Sequence, residues 1–312
     1  MNRVVITEGD PAGIGREIIL KALADEAVRK VSNPIIAGSK EDFEETFELL
    51  LSKGILKEKF ELEYLNCNPK FAGKIGEIDG YAGKYAYNSI KSASELIKCG
   101  KARNMATAPI NKQALRLGGV PFIGHTEILA SLTSSYDPLT VFETGNLRIF
   151  FFTRHIAFSD ISGRIKEEKI IEFIRRSSSA NKELTDSKAP IAVAALNPHG
   201  GDGGLMGNEE SEIEKAVKSA KNEGIDVVGP VPADSVFYEC LIGKYSAVLS
   251  LYHDQGHIAA KTLDFNGTIS LTAGLPFLRT SPDHGTAFDI AGKGIANEKA
   301  MKLAILRAAT AK

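Results

Sequence analysis

The stretch Ala247-Val-Leu-Ser-Leu-Tyr-His253 is a short apolar run of strand length that ends in a histidine. Two other runs end in the same way, Leu147-Arg-Ile-Phe-Phe-Phe-Thr-Arg-His155 and Ile191-Ala-Val-Ala-Ala-Leu-Asn-Pro-His199. In an open α/β sheet, ligands bind where parallel strands end, so three imidazoles delivered to that edge can hold one divalent metal. The pattern predicts an α/β fold whose metal ligands are His155, His199 and His253.

Strand-like and helix-like segments alternate along the chain, which predicts βα units and a largely parallel sheet. Besides the histidine-ended runs, the expected strands are Val4–Thr7, Pro34–Ala37, Glu61–Asn68 and Asn104–Ala108. The expected helices are Gly15–Ala27, Lys40–Lys53, Gly83–Lys98, Lys166–Ser179, Glu209–Glu223 and Asn297–Ala311.

Length and composition exclude several classes of protein. A chain of 312 residues fits two domains, and a net charge of −1 offers no basic surface for nucleic acid. Apolar runs are too short to cross a membrane, and the first residues lead straight into a strand, without a signal peptide. Cys67, Cys99 and Cys240 are scattered, which indicates reduced thiols in a cytoplasmic protein.

Two glycine-containing segments suit a nucleotide. Glu8-Gly-Asp-Pro-Ala-Gly-Ile-Gly15 joins the first strand to the first helix, so Gly13 and Gly15 stand where backbone N–H groups can meet an anion or a cofactor. Neither a Rossmann Gly-x-Gly-x-x-Gly fingerprint nor a Walker A loop occurs. The loop from Asp283 to Asn297 is long and polar, and its Asp289 can accept hydrogen bonds from an adenosine ribose, which favours NAD over NADP.

A second group of residues suits a phosphorylated substrate. Gly124-His-Thr-Glu127 supplies an imidazole and a hydroxyl, His125 and Thr126. Lys261, Ser270 and Arg279 follow the third histidine run, and two cations with several donors suit a phosphate group.

Taken together, these residues resemble the 4-hydroxythreonine-4-phosphate dehydrogenase family along nearly the whole chain. The motifs that carry the resemblance are Gly9-Asp-Pro-Ala-Gly-Ile-Gly15, Thr107-Ala-Pro-Ile-Asn-Lys112, Gly124-His-Thr-Glu127, Asn197-Pro-His199, Tyr252-His-Asp-Gln-Gly256, Leu275-Pro-Phe-Leu-Arg-Thr280 and Asp283-His-Gly-Thr-Ala287. The resemblance implies metal-dependent, NAD(P)-linked oxidation of a phosphorylated 3-hydroxy acid, followed by decarboxylation. The metal is zinc, magnesium, cobalt, manganese or nickel.

The same resemblance implies an architecture and further site residues. It implies a two-domain α/β/α fold similar to isocitrate and isopropylmalate dehydrogenases, with the active site in the interdomain cleft. Residues 1–108 with 263–312 then form the nucleotide-binding domain, and 109–262 the metal, substrate and dimerisation domain. The family is a homodimer with shared active sites. The adenosine contacts are His284, Gly285, Thr286, Asp289 and Asn297.

The substrate has two alternatives. The first is 4-hydroxythreonine 4-phosphate, in pyridoxal phosphate biosynthesis. Three features are closer to a branch that oxidises 4-phospho-D-threonate or 4-phospho-D-erythronate: Ser270 in place of an asparagine, His257 after the third histidine, and the segment from His125 to Ala130. The loop Gly200-Gly-Asp202 also departs from the usual Ala-Gly-Glu.

Proton transfer requires a base, for which Asp254, Lys112 and Asp234 are the candidates. Asp254 and Asp202 also stand beside metal-ligating histidines, where a carboxylate can orient an imidazole. Two other functions stay open: a metallohydrolase with a metal-activated water, and a metal- or phosphate-binding protein without catalysis.

Overall fold

Strands and helices alternate along the chain, as the sequence predicts, in a computed structural model that describes residues 3–311. The chain forms two compact units. The first contains residues 3–138 and Ile269–Ala311, and the second contains Leu139–Thr268. None of the helices formed by residues 3–311 is long and apolar enough to cross a membrane.

The first unit begins with ten elements. They are β1 (Val4–Thr7), α1 (Gly15–Ala24), α2 (Glu26–Ser32), β2 (Ile35–Gly38), α3 (Lys40–Ser52), β3 (Glu63–Asn66), α4 (Gly80–Lys98), β4 (Asn104–Thr107), α5 (Lys112–Leu117) and α6 (His125–Thr133). One predicted helix is divided here, because α1 ends before Asp25, whose side chain accepts a hydrogen bond from the Ala27 N–H and so begins α2.

The second unit follows without interruption. Its elements are β5 (Leu139–Thr144), β6 (Leu147–Phe151), α7 (Glu167–Leu184), β7 (Ile191–Ala194), α8 (Glu209–Asn222), β8 (Val227–Val231), α9 (Ala233–Leu241), β9 (Ala247–Ser250) and α10 (His253–Leu263), with short 3-10 turns at Phe158–Asp160, Ser162–Arg164 and Pro198–Gly204. The chain then returns to the first unit as β10 (Ile269–Ala273), β11 (Arg279–Pro282) and α11 (Lys299–Thr310).

In the first unit the strand order is β3-β2-β1-β4-β11-β10, and every neighbouring pair is parallel except β10 with β11. All residues of β1 are buried, as expected for a central parallel strand that is covered on both faces. On one face, Ile18 and Leu23 of α1 pack with Phe43 of α3 and Ile305 of α11.

In the second unit the order is β5-β6-β9-β7-β8. The three histidine-ended runs therefore become neighbouring strands, because β9 pairs in parallel with both β6 and β7. The antiparallel hairpin of β5 and β6, which turns at Gly145 with a φ of 56°, was not predicted, nor was the antiparallel pair β10–β11. The other neighbouring pairs within each unit are parallel, as the alternation of strands and helices predicts.

The limits of the two units differ from the predicted domain limits. Residues 109–138 lie in the first unit, because α5 and α6 pack against α4. Residues 263–268 lie in the second unit, where the Thr268 hydroxyl donates to the carbonyls of Ala260 and Asp264. The roles assigned to the two domains stay predictions.

Candidate active site

Two of the three predicted metal ligands are neighbours in the second unit. The ring centroids of His155, which follows β6, and His253, the first residue of α10, are 5.6 Å apart. His253 Nδ1 donates to Asp254 Oδ1 at 2.7 Å. A carboxylate in this position fixes the tautomer of the ring, as a partner of a metal-ligating histidine does.

His257 lies one helical turn beyond His253 and stacks on it, with ring centroids 3.5 Å apart and planes within 12°. Its Nδ1 donates to the carbonyl oxygen of His253 at 2.8 Å, and its ring packs against Phe142 and Phe151. These contacts hold the beginning of α10 in one orientation.

The third predicted ligand is placed differently. His199 is an exposed residue with a φ of 52°, in a loop where His199–Gly203 all have positive φ. Among residues 3–311, no group of three or more His, Cys, Asp or Glu side chains is arranged to hold a metal ion. Within the described residues of one chain, the structure thus brings His155 and His253 together but does not place His199 with them, and the role of His199 as a metal ligand stays a prediction.

A second candidate site in the first unit is built around a buried cation. The Arg279 guanidinium is buried, and its Nε and Nη2 donate to the Thr107 hydroxyl at 2.9 and 2.7 Å, while Nη1 donates to the Thr272 hydroxyl at 3.3 Å. Burial lowers the pKa of Arg279 to about 9, and none of the described residues forms an ion pair with it. A buried cation held only by neutral hydroxyls is suited to bind an anion.

His125, the first residue of α6, belongs to the same site. Burial, and then the Arg279 charge, hold the pKa of His125 well below its usual range, against a hydrogen bond with the Ala108 backbone. The imidazole is therefore neutral, and its Nε2 is buried with no hydrogen-bond partner among residues 3–311. An anion bound to Arg279 would provide that partner.

The other predicted substrate and proton-transfer residues are divided between the units. Thr126 and Ser270 are half-buried in the first unit, where Ser270 pairs with Ser281 across β10 and β11. Lys112 begins α5 in the same unit. In the second unit, Lys261 Nζ lies 5.0 Å from the centre of the Phe265 ring, and Asp234 is exposed in the first turn of α9.

Two backbone N–H groups of the glycine turn are already engaged, whereas the expectation that Gly15 meets an anion or a cofactor stays a prediction. The N–H of Gly13 donates to the Asp10 carbonyl, and that of Ile14 to the Thr286 carbonyl, so neither is available to an anion. A Cβ on Gly13 would lie 2.9 Å from the Thr286 oxygen, and one on Gly15 would lie 2.2 Å from the Glu8 oxygen. Both glycines are required for close packing, and Gly13 docks the nucleotide loop onto α1.

The predicted nucleotide loop is irregular from Asp283 to Asn297. His284 Nδ1 donates to the Gly285 carbonyl, while His284 Nε2 is buried and has no hydrogen-bond partner in the described chain. Thr286 is buried and Asp289 is exposed. The Asn297 side chain accepts from the Lys299 N–H at the start of α11. The unpartnered His284 nitrogen fits a loop that receives a polar ligand.

Glu8 and Asp10, two carboxyls beside the glycine turn, were not predicted as site residues. Burial raises the pKa of each to about 6. Glu8 accepts from Asn68 Nδ2 at 2.6 Å and from the Ser89 hydroxyl at 3.2 Å, whereas Asp10 Oδ2 is buried without a partner among residues 3–311. Both residues lie in the glycine-containing segment from Glu8 to Gly15, which the sequence analysis singled out. Their burial depends on the packing of segments far away in the chain, so the sequence did not indicate it. Thr107 was likewise quoted only as part of a motif.

The Glu8 carboxyl should make stability depend on pH. Its pKa rises from 4.5 unfolded to about 6 folded, so the folded protein binds more protons between these values and loses stability as pH rises through them. In Glu8→Gln, the fall in the free energy of unfolding between pH 4.5 and 6.5 should be smaller than in the wild type by about 1.5 kcal/mol. Urea unfolding at both pH values measures it. The exposed variant Glu95→Gln should follow the wild type, and an unchanged fall in Glu8→Gln would contradict the expectation.

Comparison with known proteins gives one consistent result. Residues 11–308 match the sequence model of the family described as pyridoxal phosphate biosynthetic protein PdxA. A Halalkalibacterium halodurans protein, provisionally named D-threonate 4-phosphate dehydrogenase, is 46% identical over 98% of this chain and 96% of its own. The structure of 4-hydroxythreonine-4-phosphate dehydrogenase from Klebsiella pneumoniae is 36% identical with a TM-score of 0.87, covering 99% of this chain and 98% of that one.

Proposed function

The chain belongs to the PdxA family and is an oxidoreductase that acts on a CH–OH group, as predicted; on that premise we propose that it oxidises a 4-phosphorylated 3-hydroxy acid with NAD. NAD is preferred to NADP because the Asp289 carboxylate can accept hydrogen bonds from an unphosphorylated adenosine ribose. Decarboxylation of the oxidised product completes the proposed reaction.

The observation that carries the proposal is the buried Arg279 with its neutral neighbours. Thr107 and Thr272 orient the guanidinium, and the unpartnered Nε2 of His125 adds a further polar atom. A phosphate matches this set because it is anionic and presents several oxygens in hydrogen-bonding directions. We assign Thr126, Ser270 and Lys261 to the same substrate.

Oxidation at C3 requires a group that accepts the proton of the C3 hydroxyl. Asp254, Lys112 or Asp234 would take the proton from the C3 hydroxyl while hydride leaves C3 for the nicotinamide ring of NAD⁺. The 3-keto acid then loses its carboxyl group as carbon dioxide, and carbon 2 takes a proton in its place. Asp254 is preferred because it already bonds to His253.

We propose that a divalent metal binds at His155, His199 and His253. The juxtaposition of His155 and His253 and the parallel pairing of their strands support it. When bound, such an ion would make the substrate hydroxyl more acidic. Zinc, cobalt, manganese and nickel are all candidates, since imidazole does not select among them, and magnesium is a further candidate on the family resemblance alone.

A second substrate is favoured by one specific observation. 4-Hydroxythreonine 4-phosphate and D-threonate 4-phosphate carry an amine and a hydroxyl, respectively, at carbon 2. The Klebsiella pneumoniae relative is named for the first of these substrates and the Halalkalibacterium halodurans relative for the second. The second relative has the higher identity with this chain, 46% against 36%. The sugar acid phosphate is therefore the second candidate.

We also propose a homodimer with shared active sites in the cytoplasm. Cys67, Cys99 and Cys240 are all unpaired thiols, as predicted, which suits a reducing compartment.

The test is a comparison of substrates. Purified protein with a divalent metal is given NAD⁺ and, separately, 4-hydroxythreonine 4-phosphate, D-threonate 4-phosphate and D-erythronate 4-phosphate. We expect NADH and carbon dioxide in equal amounts from one of these, and neither from its unphosphorylated form. Release of inorganic phosphate without NADH would instead establish a metallohydrolase, and binding without turnover in any metal would establish a non-catalytic protein.

A further inference from the structure

Glu17 and Lys21, one helical turn apart on α1, form an ion pair at 2.8 Å that is almost fully buried, with side-chain exposures of 5% and 10%. Both residues also contact the nucleotide loop. The Lys21 ammonium donates to the carbonyls of Gly294 and Ala296, each at 2.8 Å. The Glu17 carboxylate accepts from the N–H groups of the same two residues, at 3.2 and 2.7 Å.

The ion pair makes hydrogen bonds to the loop backbone that a neighbouring β-strand would otherwise make. Gly294 and Ala296 are buried, and Ile295 between them is exposed. The N–H and the carbonyl of each buried residue form hydrogen bonds with the ion pair. All three ammonium protons of Lys21 have an acceptor. The loop belongs to no helix or strand here, so the two side chains determine its path.

The position of Gly294 is restricted from the other side as well. Its φ is 79°, and a Cβ there would lie 2.4 Å from Ile55 Cδ1. The Lys53 ammonium donates to the neighbouring Lys293 carbonyl at 2.9 Å. The segment from Lys293 to Ala296 is thus held between α1 and the end of α3, in one conformation.

A buried ion pair is an inefficient source of stability, because desolvation of the two charges offsets their attraction. Its specific effect is to favour one arrangement of the groups it contacts. The ion pair contacts the loop that the proposed function assigns to the adenosine part of NAD, at a segment next to Asn297.

We propose that Glu17 and Lys21 are positioning residues, which hold Gly294–Ala296 so that the loop is preformed for NAD. The inference rests on the proposed function, since it takes NAD as the ligand of this loop. Without the pair, the loop would reach its binding conformation in only a fraction of molecules, and apparent affinity falls by that fraction.

The experiment measures NAD⁺ dissociation constants directly by calorimetry, without turnover, for the wild type, Lys21→Met, Glu17→Gln and the double variant Glu17→Leu/Lys21→Met. The double variant removes both charges together, so that neither is left buried without its partner, and circular dichroism establishes that each variant is folded. We expect the dissociation constant to rise about tenfold or more in each variant, with faster amide exchange at 294 and 296. The kcat at saturating NAD⁺ should stay within about threefold of the wild type.

The matched control is Lys302→Met, which breaks the Lys302–Asp25 pair of the same unit without touching the loop, and it should bind NAD⁺ as the wild type does. Lys21→Arg, which keeps the charge, should recover part of the affinity. Folded variants that bind NAD⁺ within twofold of the wild type would overturn the inference while leaving the proposed function intact. A wild-type protein that does not bind NAD⁺ would overturn both.

Discussion

Arg279→Met should reduce kcat/KM for the phosphorylated substrate by about 10²- to 10³-fold, because it removes the buried charge that we propose pairs with the phosphate. Most of the loss should appear in KM, since the phosphate is bound alike in the ground state and the transition state. Steady-state kinetics with varied substrate and saturating NAD⁺ separates the two parameters. Arg279→Lys, which keeps a charge but not the planar fork, should lie between the methionine variant and the wild type.

The same substitution should not reduce the stability of the ligand-free protein. Burial lowers the pKa of Arg279 to about 9, so the folded protein carries a desolvated charge that only hydroxyl groups stabilise. We expect the melting temperature of Arg279→Met to be at or above that of the wild type. Inorganic phosphate should raise the wild-type value and leave that of the variant unchanged. A variant that melts lower and still responds to phosphate would show that Arg279 has a structural role and that the anion binds elsewhere.

His253→Ala should lower kcat/KM by about 10³-fold or more, because the proposed metal would lose a ligand and with it several kcal/mol of stabilisation of the reacting hydroxyl. His253 is half-exposed at the first position of α10, so its removal should leave the fold intact. Circular dichroism establishes folding, and a titration with zinc or manganese followed by metal analysis measures binding.

Ile258→Ala is the control for this variant. Ile258 lies on the same helix and is 64% exposed, and its substitution should change neither metal content nor turnover. Metal-dependent turnover that persists in His253→Ala would remove this residue from the site. Loss of metal in His253→Ala with retention in His199→Ala would remove His199 from the proposed set of ligands.

Strand and helix types were predictable because they depend on local patterns. The buried apolar runs at Val4–Thr7 and Ala247–Ser250 are strands as predicted, and α3 begins at Lys40 where Ser39 caps it. The antiparallel strands β5 and β10 were missed because their direction depends on the turn and on the neighbouring strand, which periodicity does not report.

Site residues were likewise predictable where a local pattern determines their position, and were not predictable elsewhere. His155 and His253 were predicted to meet, and they do, because each lies close to the end of one of two paired strands. His199 lies further from the end of β7, in a loop with positive φ, so the direction of the strand no longer determines where its ring lies. Gly13 and Gly15 were predicted to meet an anion or a cofactor, and the structure adds a second reason for glycine at both positions, which is close packing against Thr286 and Glu8.

The sequence by itself determined the family, the βα alternation and the order of the chemically active motifs, because these are properties of short segments. Only the tertiary structure decided which of those segments meet. It placed Arg279 beside Thr107 and His125, and it brought Glu17 and Lys21 to the loop at Gly294–Ala296. The physical reason is that burial and charge pairing depend on neighbours far apart in the chain, which the sheet order selects and no local pattern records.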